Sequence, residues 1–179
     1  MPMIQVKVSQ GDLLYHAVHG LCRVDDLLKE NQAGKETLSY SLVPKVANRM
    51  KERFIITSTD LQESGFHVLI SLKEANEILA CLQSGKMENK RLAESASCSE
   101  NQVWDLAKDI WSFSRETLEI KDHKKRQTLE RSAKGLIREL AYVLQITLKE
   151  TAAKVRKCLG DTPKINPTVL VALVRASGD

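Results

Sequence analysis

The chain has 179 residues, 42% of them hydrophobic and 28% charged. That balance supports a packed core and argues against wholesale disorder, and the length allows one sizeable domain or two small ones. The net charge of +4 is uneven: residues 1–85 carry nine Lys/Arg against ten Asp/Glu, a net −1, and residues 86–179 carry eighteen against thirteen, a net +5.

The first third alternates with period two. Ile4, Val6 and Val8 share one side of IQVKV, TLSYSLV (37–43) sets Leu38, Tyr40 and Leu42 against Thr and Ser, and RFIITS (53–58) is rich in β-branched and aromatic residues. Between these runs lie Gly11-Asp12, Gln32-Ala33-Gly34-Lys35 and Asn48-Arg49, which read as turns. About five short strands over the first 65 residues predict a small antiparallel barrel or sheet.

After Gly65 the period changes. Ser71-x-x-Glu74 is a capping box, and Leu72, Ala75, Ile78, Leu79 and Leu82 then share one helical face as far as Ser84-Gly85. A short polar helix is expected over 87–95. Ser99-x-x-Gln102 opens another, with Val103, Ala107, Ile110, Trp111 and Leu118 inward. A third runs from Asp122 to Leu144 through Leu129, Ala133, Leu136, Ile137 and Leu140. Thr147-x-x-Glu150 caps a fourth that stops at Gly160, and Asn166-Pro167 caps a fifth, although TVLVALV is β-branched enough to suit a strand.

Little of this carries chemistry. His16, His19 and Cys22 are spaced three apart in YHAVHGLCRV, where residues 12–16 read as a strand and Val18-His19-Gly20 as its turn; positions i and i+3 of a strand point to opposite faces, so only a tight turn would bring the two histidines together, and no further ligand pair completes a zinc site. Cys22 lies in the apolar run Leu21–Val24, where it suits packing better than nucleophilic attack. No phosphate-cradling or nucleophile-elbow motif is present, which leaves an enzyme poorly supported. No cofactor, metal or small-molecule substrate is expected. The cysteines at 22, 81, 98 and 158 form no C-x-x-C pair and read as reduced thiols. With no apolar run near the ~20 residues of a membrane span and no signal-peptide pattern, a cytoplasmic protein without membrane attachment is expected.

The basic residues form two groups. Lys121, Lys124, Lys125, Arg126, Arg131, Lys134 and Arg138 lie on or beside the third helix, and spacings of three, four and seven place Lys124, Arg131, Lys134 and Arg138 along one side. Lys86, Lys90 and Arg91 follow Gly85. Such clusters are either a solvated helix face or a set of cations for phosphates.

Several segments, taken in order, are familiar. GDLLYHAVHGLCRV (11–24) resembles the opening of the CarD family of bacterial RNA polymerase-binding regulators, roughly G-D-x-V-V-Y-P-x-H-G-x-G-x-V. Its H-x-x-H-G-x-x-R spacing is still closer to the equivalent domain of the transcription-repair coupling factor. FIITSTDLQESGFHVLISLKEANEILACL (54–82), SENQVWDLAKDIW (99–111) and KKRQTLERSAKGLIRELA (124–141) resemble later family segments, so that the similarity runs from residue 9 to about 159.

The resemblance implies an α+β protein of two domains. Residues 1–70 would be a Tudor-like antiparallel β-barrel or sheet that binds the RNA polymerase β subunit, residues 71–85 a closing or linking helix, and residues 86–179 an all-α, DNA-facing domain with a C-terminal extension. The segment matching the polymerase-contacting strand is Arg53, Phe54, Ile55, Ile56 and Thr57. Promoter DNA would meet Lys86, Lys90, Arg91, Lys124, Lys125, Arg126, Arg131, Lys134 and Arg138 through backbone and minor groove, with little sequence specificity. A nucleoid-associated, non-enzymatic modulator of initiation is the expected function. The chain departs from the family in three ways: QSGKMENKRLAES (83–95) has no aromatic where open-complex stabilisers carry a Trp wedge, Ile55 stands where an Arg is usual, and the residues after Gly160 have no counterpart. The missing wedge supports an alternative, a polymerase- or protein-binding adaptor that has lost DNA binding.

Overall fold

The computed structural model describes residues 8–16, 18–32, 35–45, 52–61, 63–86, 101–160 and 164–178. They form a five-stranded antiparallel sheet and five helices, an α+β fold in two compact units, of which the first takes the described residues up to Leu69 with Asn101 and Gln102 and the second takes the rest. The expected strand around Ile4 and Val6, the Asn48-Arg49 turn, the helix at 87–95 and the Ser99 cap lie outside the described residues.

The sheet consists of β1 (Leu13–His16), β2 (Gly20–Gln32), β3 (Lys35–Pro44), β4 (Phe54–Thr57) and β5 (His67–Val68), in the order β4-β3-β2-β1-β5. It is not closed: β4 and β5 are its two edges among the described residues. β2 and β3 run in register to Gln32↔Lys35, so the expected Gln32–Lys35 reversal is where the hairpin turns. One irregularity shapes the sheet. Val24 faces Leu42 and Asp26 faces Ser41, which leaves Asp25 as an extra, bulged residue. The bulge shifts the alternation by one, so Cys22 and Val24 before it and Leu27 after it meet the same core, with Leu14, Tyr40, Leu42, Leu61 and Phe66. Ser39 and Ser41, which alternate with Leu38, Tyr40 and Leu42, are buried as well.

The second unit is helical: α1 (Leu72–Ser84), α2 (Asn101–Ser114), α3 (His123–Leu144), α4 (Leu148–Leu159) and α5 (Pro167–Ala176). Local chemistry sets the ends. Ser71 and Glu74 complete the capping box of α1, and Thr147 and Glu150 that of α4. The Asp122 carboxylate accepts from the Lys125 amide at the start of α3, which lowers its pKa from the ordinary value. Asn166 caps α5 through the Thr168 amide, with Pro167 in its first turn. Ala75, Ile78, Val103, Ala107, Ile110, Leu129, Ala133, Leu136, Ile137 and Leu140 share one core with α4 and α5. Glu139, fully buried on α3, accepts from the Ile70 amide ahead of α1. Leu118, expected on the inner face of the second helix, is 79% exposed: α2 ends at Ser114, so the periodicity no longer applies there.

Among the described residues no helix is long and apolar enough to cross a membrane. Both tryptophans, Trp104 and Trp111, pack against the helical core, so their fluorescence reports on that unit. Truncating the fully buried Leu136 to Ala is predicted to destabilise it by about 2–5 kcal/mol in urea unfolding followed by tryptophan fluorescence. A loss under about 1 kcal/mol would show that this position is not in a packed core.

Candidate functional site

β4 is short and one-sided. It pairs with β3 through Leu42↔Phe54, Ser41↔Ile55, Tyr40↔Ile56 and Ser39↔Thr57. The Ser58 amide continues this register by donating to the Leu38 carbonyl. In an antiparallel ladder the hydrogen-bonded pairs alternate. Ser58, Ile56 and Phe54 therefore direct their main-chain groups to β3; Ile55 directs both of its groups, and Thr57 its amide, to a rim that no described strand covers, while the Thr57 carbonyl accepts from the Asp60 amide at 3.1 Å. Side chains follow the same alternation. Phe54 and Ile56 pack on the sheet's core, while Ile55 is 63% exposed. An edge of this kind can accept a further strand.

Arg53 precedes β4 and is tied to the bulge. Its Nη2 lies 2.9 Å from Asp25 Oδ2, and Arg23 Nη2 lies 3.3 Å from Asp25 Oδ1. One carboxylate thus holds two guanidinium groups beside the edge. Both arginines are more than half exposed, so the pairs position charge more than they stabilise the fold.

The inner side of Phe54 leads to the two histidines. β1 ends at His16, and the chain turns through Val18 and His19 into Gly20, whose φ is +71°. The turn brings together side chains that a continuous strand would hold on opposite faces: the His16 and His19 rings stack with centroids 4.6 Å apart. His19 lies 4.4 Å from Phe54, and His16 lies 4.7 Å from Phe66. His16 Nδ1 accepts from the amides of both Val18 and His19, each at 3.1 Å. That use of Nδ1 requires a ring unprotonated there. Burial, then the neighbouring His19, lower the His16 pKa below 6.5; a hydrogen bond to the Ser64 backbone opposes this, and His67 adds a smaller lowering. Cys22 is fully buried in the same core, and burial pushes its thiol up to about 11. Among the described residues no three of His, Cys, Asp and Glu converge as metal ligands.

The basic residues of α3 separate by direction. Leu129, Ala133, Leu136, Ile137 and Leu140 define the buried side. Lys124 and Arg131 are exposed and Lys134 and Arg138 half-buried, in a row away from that side. Lys125 is turned elsewhere and pairs with Glu116 at 3.1 Å. Arg126 lines a cavity of about 510 Å³ with His123, Glu130 and, from α5, Val171 and Arg175. Lys86 is exposed just after the left-handed cap Gly85. Lys90 and Arg91 lie outside the described residues. No protein-family model matches the chain, and no curated protein is significantly similar to it.

Gly65 shows how tightly His16 is held. Its φ is +85°, and a Cβ added there would lie 2.9 Å from His16 Nε2. Gly11 has a similar φ of +93° with nothing within 4 Å of its added Cβ. Gly11→Ala is therefore predicted to cost about 1–2 kcal/mol from backbone strain alone. Gly65→Ala should cost clearly more, read as lost amide-exchange protection in β1 and β2. Equal losses would mean that the His16 ring gives way freely.

Proposed function

We propose that the chain is a non-enzymatic bacterial transcription regulator of the CarD type. In this reading the open sheet is the Tudor-like, polymerase-binding unit, and β4 takes up a strand of the RNA polymerase β subunit. The observation that carries the proposal is the outward direction of the Ile55 main chain and the Thr57 amide on an edge strand, in the segment that resembles the family's polymerase-contacting strand. Main-chain pairing at such an edge supplies affinity with little demand on side chains, which suits Ile55 standing where the family has an Arg.

The helical unit is proposed to contact the backbone of promoter DNA through Lys124, Arg131, Lys134 and Arg138, with Lys86, Lys90 and Arg91 as further phosphate contacts. Lys125 and Arg126 are left out because they are turned toward Glu116 and α5. No aromatic wedge is available in 83–95, so the predicted DNA contact is electrostatic and tolerant of sequence. The second reading, a polymerase-binding adaptor without DNA contact, is favoured by that same absence.

The two surfaces are tested separately. Ile55→Pro removes an outward N–H and leaves the β3 bonds of Phe54 and Ile56 in place, whereas Ile56→Pro breaks the ladder itself. In a pull-down with the polymerase β-subunit lobe, Ile55→Pro is expected to abolish binding while the protein stays folded. Undiminished binding by a folded Ile55→Pro protein, or none by the wild type at micromolar concentration, would end the edge-docking proposal. Titration with duplex DNA over salt should give a log–log slope of about −3 to −4 if four cations each neutralise a phosphate. Arg131→Glu should flatten that slope. A wild-type protein that fails to bind at low salt would establish the adaptor reading.

A further inference from the structure

We infer that the β1–β2 turn is a proton-sensitive brace for the edge strand: a proton on His16 releases the turn and, through His19, loosens Phe54 and the main-chain rim of β4. The chain of contacts is short. His16 Nδ1 holds the Val18 and His19 amides at 3.1 Å each, the His16 and His19 rings are 4.6 Å apart, and His19 is 4.4 Å from Phe54, the first residue of β4.

Protonation at Nδ1 replaces an acceptor with a donor that faces two N–H donors, so both bonds must break and the ring must move. The ring has little room to do so in place. Phe66 lies 4.7 Å away, and the Gly65 Cα approaches so closely that a Cβ there would lie within 3.0 Å of two ring atoms. The groups facing His16 disfavour the added charge on balance. From the turn comes His19, from β5 comes His67, and from the described residues between β4 and β5 comes the Ser64 backbone, which favours it. The sign follows. A folded state that takes up the His16 proton less readily than the unfolded chain is held fully above about pH 6.5. The hold weakens as pH falls through that value toward the lower folded pKa.

The effect on partner binding rests on the edge-docking proposal, and the effect on the turn does not. The test follows backbone amides of the full chain by NMR between about pH 7.5 and about pH 5.5, in the wild type and in His16→Asn. Asn Oδ1 can accept from the same two amides, as in an Asx turn, and does not protonate in this range. The wild type is expected to show shifts at Val18 and His19 and lost protection at Ile56, whose amide faces β3. His16→Asn is expected to show neither. Affinity for the polymerase β-subunit lobe should fall by up to about tenfold over the same interval in the wild type and stay level in the variant.

A flat wild-type response, or the same response in His16→Asn, would overturn the inference and assign any pH effect to another group such as His67. If His16→Asn does not fold, His19→Phe serves instead. It keeps a ring on Phe54 and removes one imidazole beside His16, so the transition should move to higher pH; an unmoved transition would contradict the brace. If the amides respond as expected and the lobe binds at no pH, edge docking fails and the brace stands.

Discussion

The contact of Phe54 with His19, and of both with Phe66, is what allows the sheet to carry a usable edge. A four-residue strand paired on one side has few hydrogen bonds to hold it, and the outward groups of Ile55 pair with no described strand. Its position therefore depends on the side chains it turns inward. Phe54 and Ile56 reach the core formed by Leu14, Cys22, Val24, Tyr40, Leu42, Leu61 and Phe66, and the stacked histidines close that core at the end of β1. The extended backbone of Ile55 and the amide of Thr57 are left facing outward because the residues on either side of Ile55 are anchored.

The Asp25 bulge complements this arrangement. By shifting the alternation of β2 it keeps Val24 and Leu27 on the core face and frees the Asp25 carboxylate to hold Arg23 and Arg53 beside the edge. In the helical unit the same logic operates with period 3.6. One side of α3 is buried by Leu129, Ala133, Leu136, Ile137 and Leu140, which fixes the opposite row of Lys124, Arg131, Lys134 and Arg138 in orientation. Charge in this protein is thus placed by what the apolar residues require.

The helices were legible because their signals are local. Ser71 with Glu74, Asp122, Thr147 with Glu150, and Asn166 with Pro167 each act within one turn, and the structure has all of them. In α5 the cap and the spacing of Val169, Ala172, Leu173 and Ala176 outweigh the β-branched composition of TVLVALV. Features set by non-local pairing were not legible. Nothing in LCRVDDLL marks Asp25 as a bulge, and nothing in TLSYSLV says that Ser39 and Ser41 are buried along with Tyr40 and Leu42. The histidine pair was legible in part: Val18-His19-Gly20 reads as the turn after the strand, and the chain does bend there, but nothing in the sequence says that the bend is tight enough to stack the two rings. That β4 is an edge follows from strand order alone; only the family resemblance singled out residues 53–57 beforehand.

The central claim is that the outer rim of β4 receives a strand of the polymerase β subunit. Amide hydrogen exchange at residues 54–57, measured with and without that lobe, tests it most directly. Docking by strand addition predicts that Ile55 and Thr57, whose amides face outward, gain protection on binding, while Ile56, already bonded to β3, changes little. Binding that leaves Ile55 and Thr57 unprotected would contradict the account and place the contact elsewhere on the molecule.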